Sequence, residues 1–193
     1  MAIKTFTTGE VLTASDTNTY LNNGGLVYIT GGSVAAGTIL TADSVFTSTY
    51  ENYRLVITQV QIGTAGRALR LNYRASGAIN NTTNYDYAYN GYKASGVTNN
   101  AAGTSQTFAE VGVYIDTYAN ARLGSCSIDI YAPQVATSQT MATSIAQGLE
   151  GAIFYRSGGF WQSQVTSFDG FQITLSSTGT MTFNWRLYGY RQA

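Results

Sequence analysis

Residues 171–187, FQITLSSTGTMTFNWRL, contain two runs in which large apolar residues alternate with polar or smaller ones. In Phe171–Leu175 and again in Met181–Leu187, every second residue is large and apolar. This period of two is typical of a β-strand with one buried face. Because Ser177–Gly179 has the composition of a turn, the stretch predicts a C-terminal β-hairpin.

The same alternation recurs upstream, in Arg67–Arg74, Val111–Asp116 and Ser125–Pro133. Tyr53–Ile62 is instead apolar on both parities, which predicts a central strand covered on two sides. The connections between strand-like runs are too short to hold helices, so an antiparallel β-sandwich is favoured over βαβ units.

Two segments have weaker patterns. Val97–Gln106 is rich in Asn, Ala and Gly and predicts the longest loop. Thr137–Leu149 is compatible with a loop and a short strand, or with a short helix.

The composition limits the kinds of partner. The chain has 193 residues, of which 44% are hydrophobic and only 10% charged, and its net charge is zero. Nucleic-acid binding usually needs a basic stripe, and no such stripe is present. No apolar run approaches the roughly 20 residues of a membrane span. We therefore expect neither nucleic-acid binding nor membrane insertion.

The first residues have a different pattern. Thr13–Asp16 resembles a helix capping box with Asp in the place of Glu, and Asn22–Gly25 would end the helix. A helix of about two turns is marginal alone, so it needs its own sheet, a neighbouring subunit or a host structure to pack against. We predict an anchor over residues 1–24 and a β-sandwich over residues 25–193. The expected docking residues are Phe6, Val11, Leu12, Tyr20 and Leu21.

Catalysis is not expected. The chain has no histidine, which removes Ser-His-Asp and Cys-His mechanisms and histidine metal sites. Cys126 has the parity of a small buried residue. The carboxylates show no diagnostic pair spacing, and Gly31–Gly32 and Gly158–Gly159 read as turns rather than phosphate-binding loops. The sequence predicts a non-enzymatic protein without metal or cofactor.

Aromatic residues are the best candidates for binding. Residues 84–92, NYDYAYNGY, place Tyr85, Tyr87 and Tyr89 on one strand face, where they could fill the core, seal a subunit interface or stack on a glycan. A second aromatic group, formed by Tyr155, Phe160 and Trp161, flanks the expected loop tip at Gly158–Gly159. These rings could either fill the core or contact a partner. The further candidates for interface or glycan contact are Tyr92, Tyr155, Phe160 and Trp161.

Three phrases resemble bacteriophage virion proteins of the tail-fibre and appendage type. Phe6–Ile29, FTTGEVLTASDTNTYLNNGGLVYI, resembles their opening phrase, F-x-x-G-E-V-L-T-A-x-D-x-N-x-Y-L, which a strand follows. Tyr50–Ile57 resembles the Y-x-N-Y-R strand of their jelly-roll-like domains, and Thr178–Tyr190 resembles their closing hairpin.

The resemblance implies a virion structural protein with a jelly-roll-like β-sandwich, commonly a homotrimer, assembled in the cytoplasm of the bacterial host. Its partners would be copies of itself and other virion proteins (tail, baseplate, neck or a larger fibre), and the aromatic candidates add a host-surface glycan as an open alternative. The expected function is that of a tail-fibre, spike or baseplate-associated protein that attaches through its N-terminus. Two alternatives stay open: a capsid decoration or head-fibre protein, and a carbohydrate-binding lectin-like module.

Overall fold

A computed structural model describes residues 7–11, 13, 25–63, 66–98, 100–115, 124–149 and 153–191. Within these ranges the chain forms thirteen β-strands and no helix. The strands are β1 (Leu26–Gly37), β2 (Ile39–Ala42), β3 (Asn52–Ile62), β4 (Arg67–Ala75), β5 (Ala78–Ile79), β6 (Tyr85–Lys93), β7 (Ala101–Gln106), β8 (Ala109–Ile115), β9 (Gly124–Tyr131), β10 (Thr140–Leu149), β11 (Ile153–Gln162), β12 (Gly170–Leu175) and β13 (Met181–Tyr190).

The strands form two antiparallel sheets. Sheet A has eight strands in the order β1-β13-β3-β9-β10-β11-β6-β7. Sheet B has the order β2-β12-β4-β5, and β8 also pairs with β4. This all-β arrangement is consistent with a β-sandwich, as the alternating patterns predict. The predicted N-terminal helix lies outside the described residues, apart from Thr13.

Aromatic rings from both sheets meet in the core. Phe46, in the segment after β2, packs against Tyr53 of sheet A with ring centroids 4.7 Å apart. It also packs against Phe171 of sheet B at 5.9 Å. All three rings are at most 1% exposed. Since full burial of one large apolar side chain contributes about 2 kcal/mol, these contacts hold the two sheets together.

The predicted C-terminal hairpin is wrong. β12 pairs with β2 and β4 in sheet B, whereas β13 pairs with β1 and β3 in sheet A. The intervening Ser176–Thr180 therefore crosses between sheets: Ser176 N–H donates to Ala68 O, and Gly63 N–H donates to Thr180 O. Two strands show the same alternation of apolar and polar residues whether they pair in one sheet or lie in two sheets that face each other across the core. The alternation therefore could not distinguish a hairpin from two facing strands.

The prediction that β3 is covered on two sides is also wrong, although β3 is a central strand. Tyr53, Leu55 and Ile57 point into the core and are fully buried. The pairing of β3 then shifts register between Ile57 and Val60, and Gln59 has φ +56°. This β-bulge changes the parity, so that Val60 also points inward. Apolar residues thus occur at both odd and even positions of β3 although they point to one buried face, because the bulge switches which positions point inward.

Two segments of uncertain or loop-like composition are strands. In Thr137–Leu149 the strand alternative is right, since β10 alternates strictly between buried and exposed residues. The loop predicted over Val97–Gln106 is wrong from Ala101 onward, because β7 extends sheet A beyond β6. β7 has few large side chains, and as an edge strand it needs few.

Candidate functional site

The outer face of sheet A, on the side away from sheet B, carries the main candidate surface. It is formed by β9, β10, β11 and β6, which are consecutive in the sheet. On β10 the inward positions hold small residues, including Ala142, Ser144 and Ala146, all buried. The outward positions hold larger ones, including Met141 at 56% exposure and Ile145 at 55%. The usual distribution of residue sizes is therefore reversed on this strand.

Large apolar side chains accumulate on this face. Each of those described is at least 36% exposed: Tyr92, Tyr131, Met141, Ile145, Ile153, Tyr155 and Trp161. Neighbouring strands bring them together, since Met141 pairs with both Tyr131 and Trp161, and Tyr155 pairs with Tyr92. Exposed apolar clusters of this kind mark surfaces that bind a partner or a ligand.

Between these side chains lie two adjoining depressions, which we call together the Trp161 trough. One has a volume of about 450 Å³ and is bordered by Trp161 and Met141. The other, of about 670 Å³, extends toward Asn90 and Asn100. They share the residues Ala88 and Ala102, whose methyl groups leave the base of the trough open.

Asp86 holds Trp161 in place. The indole Nε1–H of Trp161 donates to Oδ2 of Asp86 at 2.8 Å, and the backbone N–H of Ser105 donates to Oδ1 at 2.6 Å. β11 and β6 place the two side chains directly opposite each other. The Asp86 carboxylate therefore orients an aromatic ring.

The other half of the same outer face has a charged network. Arg54 donates to both carboxylate oxygens of Asp129, at 2.7 and 2.8 Å, and Tyr190 O–H donates to Oδ1 at 2.6 Å. Burial would raise the pKa of Asp129, but the hydrogen bonds from Arg54 and Tyr190 outweigh it and lower the pKa below its ordinary value. We call these three residues the Arg54 network.

The tyrosine stripe of β6 faces the core. Tyr85 is fully buried and donates its O–H to Asn80 O at 3.0 Å, while Tyr89 is 5% exposed. Burial raises the pKa of both phenols. Tyr87 is half-buried and stacks on Tyr89 with ring centroids 5.8 Å apart. Of the three roles predicted for the stripe, Tyr85 and Tyr89 have the core role, and their side chains are not accessible to a surface ligand.

The second aromatic group divides between the two faces of β11. Phe160 is 4% exposed and belongs to the core, whereas Tyr155 and Trp161 point outward. The turn predicted at Gly158–Gly159 is wrong, because both glycines lie within β11 and pair with β10 and β6. A Cβ on Gly158 would lie 2.2 Å from Ala88 O, so a close approach of two strands requires this glycine.

Only part of the predicted anchor is described. Thr7–Glu10 forms a turn in which Glu10 N–H donates to Thr7 O at 3.0 Å and Gly9 has φ +89°. Thr7 N–H donates to the Glu10 carboxylate at 3.2 Å. Val11 is 79% exposed. The other expected docking residues, Phe6, Leu12, Tyr20 and Leu21, lie outside the described ranges.

Two features concern titratable groups in the described part of the chain: candidate metal ligands and the free thiol of Cys126. No group of three or more His, Cys, Asp or Glu gathers there to ligate a metal. Cys126 is 4% exposed, and burial raises the pKa of its thiol to about 12. The expectation that it is a small buried residue is confirmed. The described residues include no helix long and apolar enough to cross a bilayer.

Sequence reasoning identified Tyr92, Tyr155 and Trp161 as contact candidates but missed Asp86, Tyr131, Met141 and Ile145. The missed signal was in 140–149, TMATSIAQGL, where small residues occupy one parity and Met141 and Ile145 the other. A search for alternation of size rather than of polarity could have found this strand.

Scans against protein-family models, curated proteins and solved structures found no match to this chain.

Proposed function

We propose that this chain is a non-enzymatic structural protein of a bacteriophage particle. It is a tail-fibre, spike or baseplate-associated protein that attaches through residues 1–24 and contacts the host surface through a jelly-roll-like domain. The observation that carries the proposal is the exposed apolar outer face of sheet A, which is a surface built for contact.

The opening phrase supports the attachment role. Its Gly and Glu have clear structural roles, since Gly9 adopts a positive φ and the Glu10 carboxylate accepts from Thr7. The phrase therefore includes a defined turn, as expected of a segment that docks in a fixed geometry.

The edge of sheet A supports assembly into a homotrimer. β1 is a twelve-residue edge strand, and it begins directly after the anchor segment. Its Tyr28 is 57% exposed and Leu26 is 38% exposed. A long edge with exposed apolar side chains is normally covered, and copies of the chain gathered by their anchors would cover it.

Labelling of purified phage particles tests the function. With an antibody against the full chain, we expect gold label at the tail or baseplate and the protein in the particle proteome. Deletion of residues 2–23 should remove the label while the β-domain stays folded in the lysate. Label on the head would support the capsid-decoration alternative instead, and absence from the particle would refute the proposal.

A further inference from the structure

We propose that the Trp161 trough binds an uncharged oligosaccharide, with the indole of Trp161 as its stacking platform. The inference rests on the proposed function, because host-surface contact explains why such a site is exposed. Four features of the trough support it: a fixed aromatic ring, an open base, neutral polar groups and a second aromatic position on the same strand.

The ring of Trp161 is fixed before any ligand arrives. Its Nε1–H is bound to Asp86, and the carboxylate is itself held by Ser105 N–H. At 36% exposure, the indole remains accessible. A rigid aromatic surface binds an apolar ring face with little loss of conformational entropy, and the apolar face of a pyranose presents such C–H groups. Each oxygen of Asp86 also has a further lone pair that can accept from a sugar hydroxyl.

The base of the trough allows a ring to approach the sheet. Ala88, Ala102 and Gly159 lie beside Trp161 and have no side-chain atom beyond a methyl group. Ala102 is exposed on the edge strand β7, where a larger side chain could be accommodated. The small side chain at this position is therefore not required by core packing.

The polar groups along the trough are neutral amides and hydroxyls, which include Asn90, Asn100 and Ser157. The Oδ1 of Asn100 accepts from Gly91 N–H at 3.3 Å. The Nδ2 hydrogens of Asn100 therefore point away from Gly91. Asp86 is the one charged side chain among the residues that line the two depressions. Because like charges repel, a neutral saccharide fits this lining better than an acidic one.

The spacing along β11 favours an oligosaccharide over a single sugar. Tyr155 and Trp161 share the outer face and are six residues apart, which corresponds to about 20 Å along a strand. Tyr155 is 49% exposed and is paired with Tyr92, which is 67% exposed. Tyr155 and Tyr92 therefore lie on the outer face two residues beyond Ser157 and Asn90, which line the trough.

A glycan array with the full-length chain tests the inference. The array holds neutral oligosaccharides and sialylated or uronic-acid counterparts of the same length. We expect binding to neutral members and a loss of at least about tenfold for Trp161→Ala, which removes the stacking platform. Ile39→Ala, at a residue of sheet B that is 48% exposed and distant in the fold from the trough, is the control and should bind like the wild type.

A second variant covers the case in which Trp161→Ala fails to fold. Ala102→Leu would fill the trough from an exposed edge position while keeping Trp161, and it should abolish binding as well. The emission of buried Trp185, the other tryptophan, reports folding in the Trp161→Ala variant.

Several results would overturn the inference: no neutral glycan bound, preference for acidic glycans, or wild-type binding by Trp161→Ala. The two proposals fail separately. A chain that is located at the tail but binds no glycan refutes only the saccharide site. A chain that binds glycans through Trp161 but is absent from particles refutes the virion role and favours the lectin-like alternative.

Discussion

The two halves of the outer face of sheet A differ in how their side chains are satisfied. On β3, β9 and β13, the Arg54 network joins a guanidinium, a carboxylate and a phenol through hydrogen bonds of 2.6 to 2.8 Å. On β10, β11 and β6, apolar side chains such as Met141, Ile145 and Tyr155 are about half exposed. The Arg54 network is satisfied within the chain, whereas β10, β11 and β6 leave apolar surface in solvent.

The difference separates a region whose side chains stabilise the fold from a region whose exposed side chains are available for contact. Side chains of the Arg54 network bind one another, so their removal should cost folding free energy. Exposed apolar side chains around the Trp161 trough, such as Met141 and Ile145, bury little surface, so their removal should cost little. Substitutions in the two halves can therefore separate binding from stability.

The largest effect is expected beneath the trough, where β11 meets β6. Gly158→Val would place a Cβ 2.2 Å from Ala88 O and 2.3 Å from Tyr89 Cβ. Both contacts are with atoms that cannot move independently of the strand, so we expect a loss of about 3 kcal/mol in the free energy of unfolding. Urea denaturation measures it. Ser157→Val, at the preceding residue of the same strand, is the control and should change stability by less than about 1 kcal/mol. Equal effects of the two substitutions would contradict the close approach.

An intermediate effect is expected in the Arg54 network. Asp129→Asn removes the charge that accepts from Arg54 and Tyr190, and should cost about 1 kcal/mol at pH 7, since the pair is partly solvated. The folded-state pKa of Asp129 is lowered, so its contribution is present above the ordinary value of 3.8 and is lost as pH falls through the folded-state pKa. Urea midpoints from pH 7 to pH 2 should therefore converge for the wild type and the variant at the acid end. A difference that persists undiminished at pH 2 would exclude the electrostatic origin.

The smallest effect is expected on the exposed face itself. Ile145→Thr replaces a side chain that is 55% exposed and should change the free energy of unfolding by less than about 0.5 kcal/mol. Ile128→Thr, at a fully buried position on the adjacent strand, is the matched comparison and should cost about 3 kcal/mol. Thermal melts of dilute protein measure both. A loss near 3 kcal/mol for Ile145→Thr would show that this face is covered within the free protein.

The sequence predicted the all-β class and the inward parity of several strands, because a half-buried strand imposes alternation on its own residues. It could not predict which sheet receives β12 and β13, since that choice depends on long-range pairing. The bulge at Gln59 produced a pattern that resembled burial on both faces. The strand β10 was hard to predict because its inward residues, such as Ala142 and Ser144, are small. A search for alternating large apolar residues does not detect such a strand.

The candidate surface was predicted only at its aromatic residues. Trp161 and Tyr155 were identified by type, but composition gave no means of separating them from Tyr85, which is equally aromatic and fully buried. Asp86 gained its role from pairing with β11, which lies about 75 residues away in the chain. Contacts at such separation are not encoded in any local pattern.

The position of β13 has a consequence for how the molecule folds. β13 is the last described strand, yet it lies inside sheet A, between β1 and β3. As the ribosome synthesises the chain, β1 and β3 emerge early and have no common neighbour until β13 follows more than a hundred residues later. Sheets dominated by such distant pairings fold slowly, because loop closure precedes the contacts that compensate for it. Until β13 has emerged, the edges of β1 and β3 that face it keep their backbone N–H and C=O groups unpaired, so sheet A closes only after β13 has been synthesised.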